Sequence, residues 1–195
     1  MQRLNNQRRK YVPSWEPERY IVPLLRRKIP DTFRNFIAQN TSMHRRALDI
    51  GCGLQPWKSL LQDANFEYMS FDVVQNSDGN VDFIGPIDGK LCSKILSQAP
   101  FDFLLLTEVL EHVANWEAAF ANLNLLSKSG TKVLLTVPHV YPLHEAPFDF
   151  WRPTPYAIRE FADKHGFDVV HIEKAGGPFT IFCNVKSPLA DVWIL

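Results

Sequence analysis

In Arg46-Ala47-Leu48-Asp49-Ile50-Gly51-Cys52-Gly53-Leu54-Gln55-Pro56, an apolar run ends in an acid and then turns on two glycines. Glycine at both turn positions lets the backbone take positive φ and come close to a ligand. Pro56 suits the first position of a following helix, where its missing N–H has no intrahelical partner to lose. The stretch reads as a loop for a nucleotide-type ligand. It departs from the dinucleotide fingerprint, since the third glycine is absent and an acid precedes the turn. That acid suits a ligand with an amine or a positive centre better than a pyrophosphate. Nineteen residues after Gly53, the run Glu67-Tyr68-Met69-Ser70-Phe71-Asp72 also ends in an acid. An acid about 20 residues past such a turn accepts hydrogen bonds from a ribose in doubly wound folds. Loop and acid together point to an adenosine-type ligand.

Placing these acids requires strands that end at one edge. Residues 1–30 read as an irregular arm, broken by Pro13, Pro17, Pro23 and Pro30. Asp31 or Thr32 then caps a short helix through about Gln39, with Phe33, Phe36 and Ile37 on one face. From there strands alternate with helices. The expected strands are 47–50, 66–71, 81–84, 101–106 and 132–137, with helices over 57–62, 90–98 and 116–126 between them. The run 101–106 is uninterruptedly apolar, as a central parallel strand buried on both faces must be. Thr154-Pro155 caps a further helix that Gly166 ends. Residues 167–173 and 179–185 are expected as the last two strands, an antiparallel pair around Gly176-Gly177-Pro178. Alternation of this kind predicts a doubly wound α/β fold: a mostly parallel seven-stranded sheet, antiparallel in its last strand, with helices on both faces. Its ligand sits at the carboxyl ends of the strands, where Asp49, Asp72, Thr107 and Glu108 all fall.

Three segments, in this order, resemble the class I (Rossmann-like) S-adenosylmethionine-dependent methyltransferases, especially the bacterial type 11 group. They are Leu48-Asp49-Ile50-Gly51-Cys52-Gly53, Thr107-Glu108-Val109-Leu110-Glu111-His112-Val113, and the proline-rich stretch from Val137 to Thr154. The resemblance spans roughly Arg45 to Val185. It implies that Gly51 and Gly53 lie against the methionine part of S-adenosyl-L-methionine, that Asp49 supports its amino group, and that Asp72 holds the ribose hydroxyls. Thr107 and Glu108 would line the pocket near the sulfonium. Where the family places an acid to read the adenine amine, this chain has Pro86, so Asp82, Asp88 or a backbone carbonyl is expected to serve. Methyl transfer needs alignment, desolvation and a base where the acceptor must lose a proton. Histidine is the natural base near neutral pH, and His144, His139 and His112 are the candidates. Asp149 and Arg152 share the proline-rich loop, either as an ion pair bracing it or in catalysis. Tyr141, Phe148, Phe150 and Trp151 provide apolar walls. His139, His144 and Asp149 do not follow metal-ligand spacing, so no metal is expected.

Composition agrees with one globular domain: 46% hydrophobic and 22% charged residues in 195. No apolar run approaches the roughly 18 residues of a membrane span, and no signal sequence is evident, so a cytoplasmic location is expected. Cys52, Cys92 and Cys183 are scattered, which argues against a disulfide framework or a zinc site. Zero net charge hides an asymmetry. Residues 1–46 carry eleven Lys and Arg against three acids, a net of +8, and the remainder carries −8. The expected division is therefore a basic arm and helix over 1–44 and a methyltransferase domain over 45–195. The basic segment could face an anionic substrate, nucleic acid or a membrane surface, or lie solvated against its own domain. Nucleic acid is not the expected partner, since Thr107-Glu108-Val109-Leu110 stands where a base-methylating Asn-Pro-Pro-Tyr-type motif would. The expectation is a methyltransferase acting on oxygen of a small molecule or glycan. The alternative is a non-catalytic protein that keeps the cofactor or a partner.

Overall fold

The computed structural model describes residues 16–37, 45–175 and 192–194. Helix α1 (Glu16–Phe36) is followed by β1 (Arg45–Ile50), α2 (Lys58–Asp63), β2 (Phe66–Asp72), β3 (Phe83–Ile84), α3 (Ser93–Leu96) and β4 (Phe103–Thr107). A 3-10 turn (Leu110–His112) leads to α4 (Trp116–Leu125), β5 (Lys132–Pro138), α5 (Pro155–Lys164), β6 (Glu173–Ala175) and β7 (Val192–Ile194). The seven strands form one sheet in the order β3-β2-β1-β4-β5-β7-β6. All pairings are parallel except those of β7, which runs antiparallel to both β5 and β6. The expected architecture, down to the antiparallel last strand, is present.

Period-two alternation divides the strands between two cores, as a sheet covered on both faces requires. Leu48, Ile50, Leu104, Leu106, Leu135 and Val137 pack with the apolar faces of α4 and α5. Ala47, Phe103, Leu105 and Leu134 face the other way, against Ile21, Leu25, Ile29, Phe33 and Ile37. That second set repeats every four residues, the apolar stripe of a helix.

Helix α1 corrects the reading of residues 16–30 as irregular, and of Asp31 or Thr32 as a cap; both lie inside a continuous helix that accommodates Pro23 and Pro30. Parts of the basic segment are tied to the domain. Arg45 donates to the carbonyls of Ile37 and Ala64, 3.1 Å each, closing the ends of α1 and α2 while lying over the Phe66 ring. Arg46 donates to the Pro100 carbonyl, and Lys28 pairs with Glu173 at 2.9 Å. Three smaller corrections follow. Helix α2 starts at Lys58, past Pro56, because Gln55 adopts a left-handed φ of 56° and lengthens the loop. The sixth strand begins at Glu173, with 167–172 outside it. The seventh is Val192–Ile194, whereas residues 179–185 and the Gly176-Gly177-Pro178 turn lie outside the described residues. No helix among the described residues is long and apolar enough to cross a membrane.

Candidate functional site

Parallel register brings the acids of successive strands to one edge. Asp49 stands one residue before the end of β1, beside Ser70 of β2 and Leu105 of β4. Asp72 ends β2 and Thr107 ends β4. Between them the loop turns through Gly51 (φ 68°) and Gly53 (φ 50°). Gly51 is required twice over: its φ is left-handed, and a Cβ there would stand 2.3 Å from Val109 Cγ2. The Phe71 carbonyl accepts from the N–H groups of Gly51 and Cys52, and Asp72 Oδ2 accepts from Gly53 N–H at 2.9 Å. Asp72 thus fixes the loop through Oδ2, while Oδ1 at the strand end accepts only a long 3.4 Å bond from Val74 N–H.

Asp49 is 1% exposed. Its Oδ2 accepts a 2.7 Å bond from the Tyr68 hydroxyl, and its Oδ1 is buried with no hydrogen-bond partner among the described residues. Burial, with a smaller contribution from the Asp72 charge, pushes its carboxyl up to about 7 against the pull of the Tyr68 bond. An orphaned buried carboxylate oxygen is costly unless something donates to it. Such an oxygen is open to a donor brought by a ligand.

Thr107 and Glu108 do reach the same edge. Thr107 Oγ accepts from Trp57 Nε1 at 3.2 Å. Glu108 adopts a left-handed φ of 54°, held by its N–H on Thr136 O and by its carboxylate accepting from the Thr136 hydroxyl at 2.7 Å. The two carboxylates considered for adenine have structural duties: Asp82 Oδ2 accepts from Ser70 N–H and hydroxyl, and Asp88 accepts from Asn115 N–H.

On the neighbouring side, the loop after β5 is clipped onto the 3-10 turn after β4. The Glu111 carbonyl accepts from Phe150 and Trp151 N–H, Trp151 Nε1 donates to Val113 O, and His112 Nδ1 donates to Phe148 O at 2.7 Å. Arg152 braces the loop from within, as a fork on both Asp149 oxygens (2.6 and 2.7 Å) with further bonds to the Tyr141 and Pro142 carbonyls. Those Arg152 bonds and the His144 N–H hold Asp149 below its ordinary pKa, although burial alone would raise it. The expected Asp149–Arg152 ion pair is therefore present.

The three candidate histidines share one feature. His139 Nδ1 meets Pro153 O at 2.9 Å, and His144 Nδ1 lies 3.2 Å from both Pro142 O and Asp149 Oδ2. Carbonyls only accept, so each Nδ1 carries the proton and each Nε2 the lone pair; at His144 the two acceptors at 3.2 Å are nearer than the Arg152 Nη2 donor at 3.4 Å. His144 and His112 stand edge to face at 4.8 Å, and His144 is held below its ordinary pKa by burial and then by His112. No contact between His139 and the other two is among those observed.

Sequence reasoning passed over Tyr68, Gln55, Asn76 and Glu111. Tyr68 follows from strand pairing: Asp49 is opposite Ser70, so Tyr68, two residues earlier, shares its face. Gln55 and Asn76 are buried amides that bond Asn80 and, for Asn76, the Gly53 carbonyl, stiffening the glycine loop. Glu111, fully buried, carried no local signal beyond its neighbour His112.

Comparison with known proteins agrees with this geometry. Residues 24–172 match the model of a methyltransferase domain family. No curated relative matches the chain. Among solved structures, a SAM-dependent methyltransferase from Archaeoglobus fulgidus is similar at a TM-score of 0.56 and 15% identity, covering 90% of this chain and 97% of that one. The 1,6-didemethyltoxoflavin-N1-methyltransferase of Burkholderia thailandensis, with 1,6-didemethyltoxoflavin and S-adenosylhomocysteine bound, gives 0.56 and 14% over 94% and 91%. Phosphoethanolamine N-methyltransferase 2 of Haemonchus contortus, in complex with S-adenosyl-L-methionine, gives 0.63 and 14% over 86% of this chain and 51% of that one. At these identities the likeness is one of fold. The family match over most of the chain goes further: this protein belongs to the methyltransferase domain family, with a Rossmann-like fold shared with S-adenosylmethionine-dependent methyltransferases.

Proposed function

We propose that the enzyme methylates an oxygen of a small molecule or glycan, with S-adenosyl-L-methionine as donor. The observation that carries the donor reading is the buried, unpartnered Oδ1 of Asp49 beside the glycine turn. The residues present fit the donor: Asp49 meets its ammonium, Asp72 its ribose hydroxyls, and Gly51 and Gly53 allow close backbone approach. Thr107 and Glu108 lie near its sulfur. The turn after β3 is the remaining reader of adenine, since Asp82 and Asp88 are engaged elsewhere; Gly85 N–H on Asp72 O holds that turn beside the ribose acid. When bound, the donor supplies a methyl group on a cationic sulfur, open to in-line displacement.

Oxygen is favoured as acceptor because the roof of the site carries imidazoles with Nε2 lone pairs. A hydroxyl must lose its proton on methylation, and His139 or His144 takes it on Nε2. His112 stands edge to face with His144, 4.8 Å between ring centroids. Phe148, Phe150 and Trp151, 40–45% exposed in the roof loop, provide apolar surface to cover the acceptor.

The test is calorimetric titration of S-adenosylmethionine and S-adenosylhomocysteine into wild type and Asp72→Ala, followed by transfer of an isotopically labelled methyl group to sugars and other hydroxylated acceptors. Micromolar binding, lost in the variant, and label on oxygen support the reading. A folded protein that binds neither compound, or label found only on nitrogen, overturns it.

A further inference from the structure

Glu111, His112 and His144 each offer a ligand atom, and these three atoms lie within 4.8 Å of one another. We infer that they form a divalent transition-metal site at the acceptor side of the crevice, contrary to the absence of metal expected from spacing. His139, His144 and Asp149, whose spacing led to that expectation, belong to a single loop. The three ligands instead come from two loops, one after β4 and one after β5, which no local pattern reveals.

Three features of the cluster point to a cation. First, His112 donates through Nδ1 to Phe148 O, so its Nε2 turns a lone pair toward Glu111 Oε1, 3.7 Å away. Two electron-rich atoms facing each other beyond hydrogen-bond reach is the arrangement a metal ion fills. Two ligands at about 2.1 Å from a tetrahedral zinc stand about 3.4 Å apart, so the pair is within a few tenths of an ångström of ligation. All three ligand atoms lie within 4.8 Å of one another, so the cluster is compact enough to close on one ion.

Second, both imidazoles have the outer contacts that metal-binding histidines use. His112 Nδ1 is on a backbone carbonyl, and His144 Nδ1 is on a backbone carbonyl and the Asp149 carboxylate. Such partners fix the tautomer that presents Nε2 to the metal. The Arg152 fork holds Asp149 in place, so the bracing of the loop also orients His144.

Third, Glu111 is fully buried, where a divalent cation at the cluster would favour its carboxylate form. Two neutral imidazoles and one carboxylate suit Zn²⁺, Co²⁺ or Mn²⁺ better than Mg²⁺ or Ca²⁺, and three protein ligands leave positions open.

The site stands on its own geometry, while its role rests on oxygen being the methyl acceptor. An acceptor hydroxyl taking an open position is polarised by the metal and becomes easier to deprotonate. Its O–H bond breaks, the electron pair stays on oxygen, and the proton passes to solvent water. A substrate with a hydroxyl exposed for chelation, or two neighbouring ones, is the class this arrangement selects.

The test is titration of metal-stripped protein with Co²⁺, followed by visible absorption and by competition with Zn²⁺, alongside S-adenosylhomocysteine binding on the same samples. One equivalent of Co²⁺ with ligand-field bands is expected. Affinity should fall by about 100-fold or more in His144→Ala and Glu111→Gln, and by about 10- to 100-fold in Asp149→Asn. His144 is partly exposed, so its variant is the one expected to keep the fold, which retained S-adenosylhomocysteine binding verifies. Protein that binds S-adenosylhomocysteine but neither metal, or a folded His144→Ala that binds Co²⁺ as tightly as wild type, overturns the site. Metal binding without S-adenosylhomocysteine binding would leave the site standing and remove the methyl-transfer role instead.

Discussion

Asp49→Asn is expected to strengthen the fold at alkaline pH while weakening the donor site. Burial pushes the Asp49 carboxyl up to about 7, against about 3.9 for an unperturbed aspartate. A raised carboxyl pKa means that the folded state favours the neutral form. The stability this provides is complete below about pH 4 and is lost as pH rises through 7. At 1.36 kcal/mol for each pH unit between the two values, the full loss is about 4 kcal/mol, of which about 2.5 kcal/mol falls between pH 5 and pH 8. The amide retains an oxygen for Tyr68 but cannot ionise. Its unpaired N–H subtracts an amount that does not vary with pH. Urea unfolding of both proteins at pH 5 and pH 8 isolates the ionisation: wild type should lose about 2.5 kcal/mol more than the variant across that interval. Ligand binding should show the mirror image. A cationic ammonium recruits the ionised carboxylate, so wild-type affinity for S-adenosylhomocysteine should rise about 100-fold from pH 5 to pH 8, and the variant should be weak and flat. Parallel stability profiles for the two proteins, or a wild-type affinity indifferent to pH, would refute the assignment of the buried oxygen to the ligand's amine.

Gly51→Ala forces a side chain into left-handed φ, a cost of about 1–2 kcal/mol, and into Val109 as well. Adding Val109→Ala should recover the contact cost and not the backbone cost, so denaturation midpoints should rank wild type, double variant, single variant. Phe33→Ala removes a 1% exposed ring packed on Phe66 and Phe103. It should cost about 3–5 kcal/mol in urea unfolding, and a loss below about 1 kcal/mol would show that α1 is no part of the core. Arg152→Lys keeps the charge but loses the fork on Asp149 and the carbonyl contacts. Acceptor KM should rise with S-adenosylhomocysteine affinity unchanged; an unaltered KM would separate the bracing of the loop from acceptor binding.

What could be read from the sequence was what local periodicity and punctuation encode. The two acids at strand ends, the glycine turn and the apolar 101–106 run lie where their patterns put them. Helix α1 did not, because Pro23 and Pro30 read as breakers. Each interior proline costs about 3 kcal/mol, but burying the five-residue stripe from Ile21 to Ile37 returns about 1.5–3 kcal/mol for each side chain. Tertiary burial outweighs local propensity, and it depends on a sheet face that only later residues build. The three-residue strand β7 is too short to carry a period, and its place between β5 and β6 is a property of the sheet. The histidines were legible as a set, whereas their tautomers were not, since each is fixed by a carbonyl distant in sequence or across a turn.

The same limit explains why the acids of this site look equivalent in sequence and differ in space. Asp49, Asp72, Asp82 and Asp88 lie in or near strand ends and Asp149 in the loop after β5, and what separates them is the donors each one meets. Asp149 takes a guanidinium fork and a backbone N–H, and Asp82 takes an N–H and a hydroxyl. Those carboxylates are satisfied by the protein and stiffen it. Asp72 gives Oδ2 to Gly53 N–H and Oδ1, at 3.4 Å, to Val74 N–H, so whatever else binds this carboxylate also bears on the shape of the glycine turn. Asp49 has only the Tyr68 hydroxyl among the observed bonds, and burial makes its ionisation unfavourable until a cation arrives. The order of binding energies follows from this. On the proposed reading the ammonium contact gains most from ligand entry, because it relieves a cost the fold carries without it. The ribose contact gains less, because Asp72 is already partly satisfied. Removal of the Asp49 charge should therefore weaken S-adenosylhomocysteine more than removal of a ribose hydroxyl from the ligand, an order that titration of the 2′- and 3′-deoxy analogues against wild type and Asp49→Asn would reverse if the buried oxygen were inert.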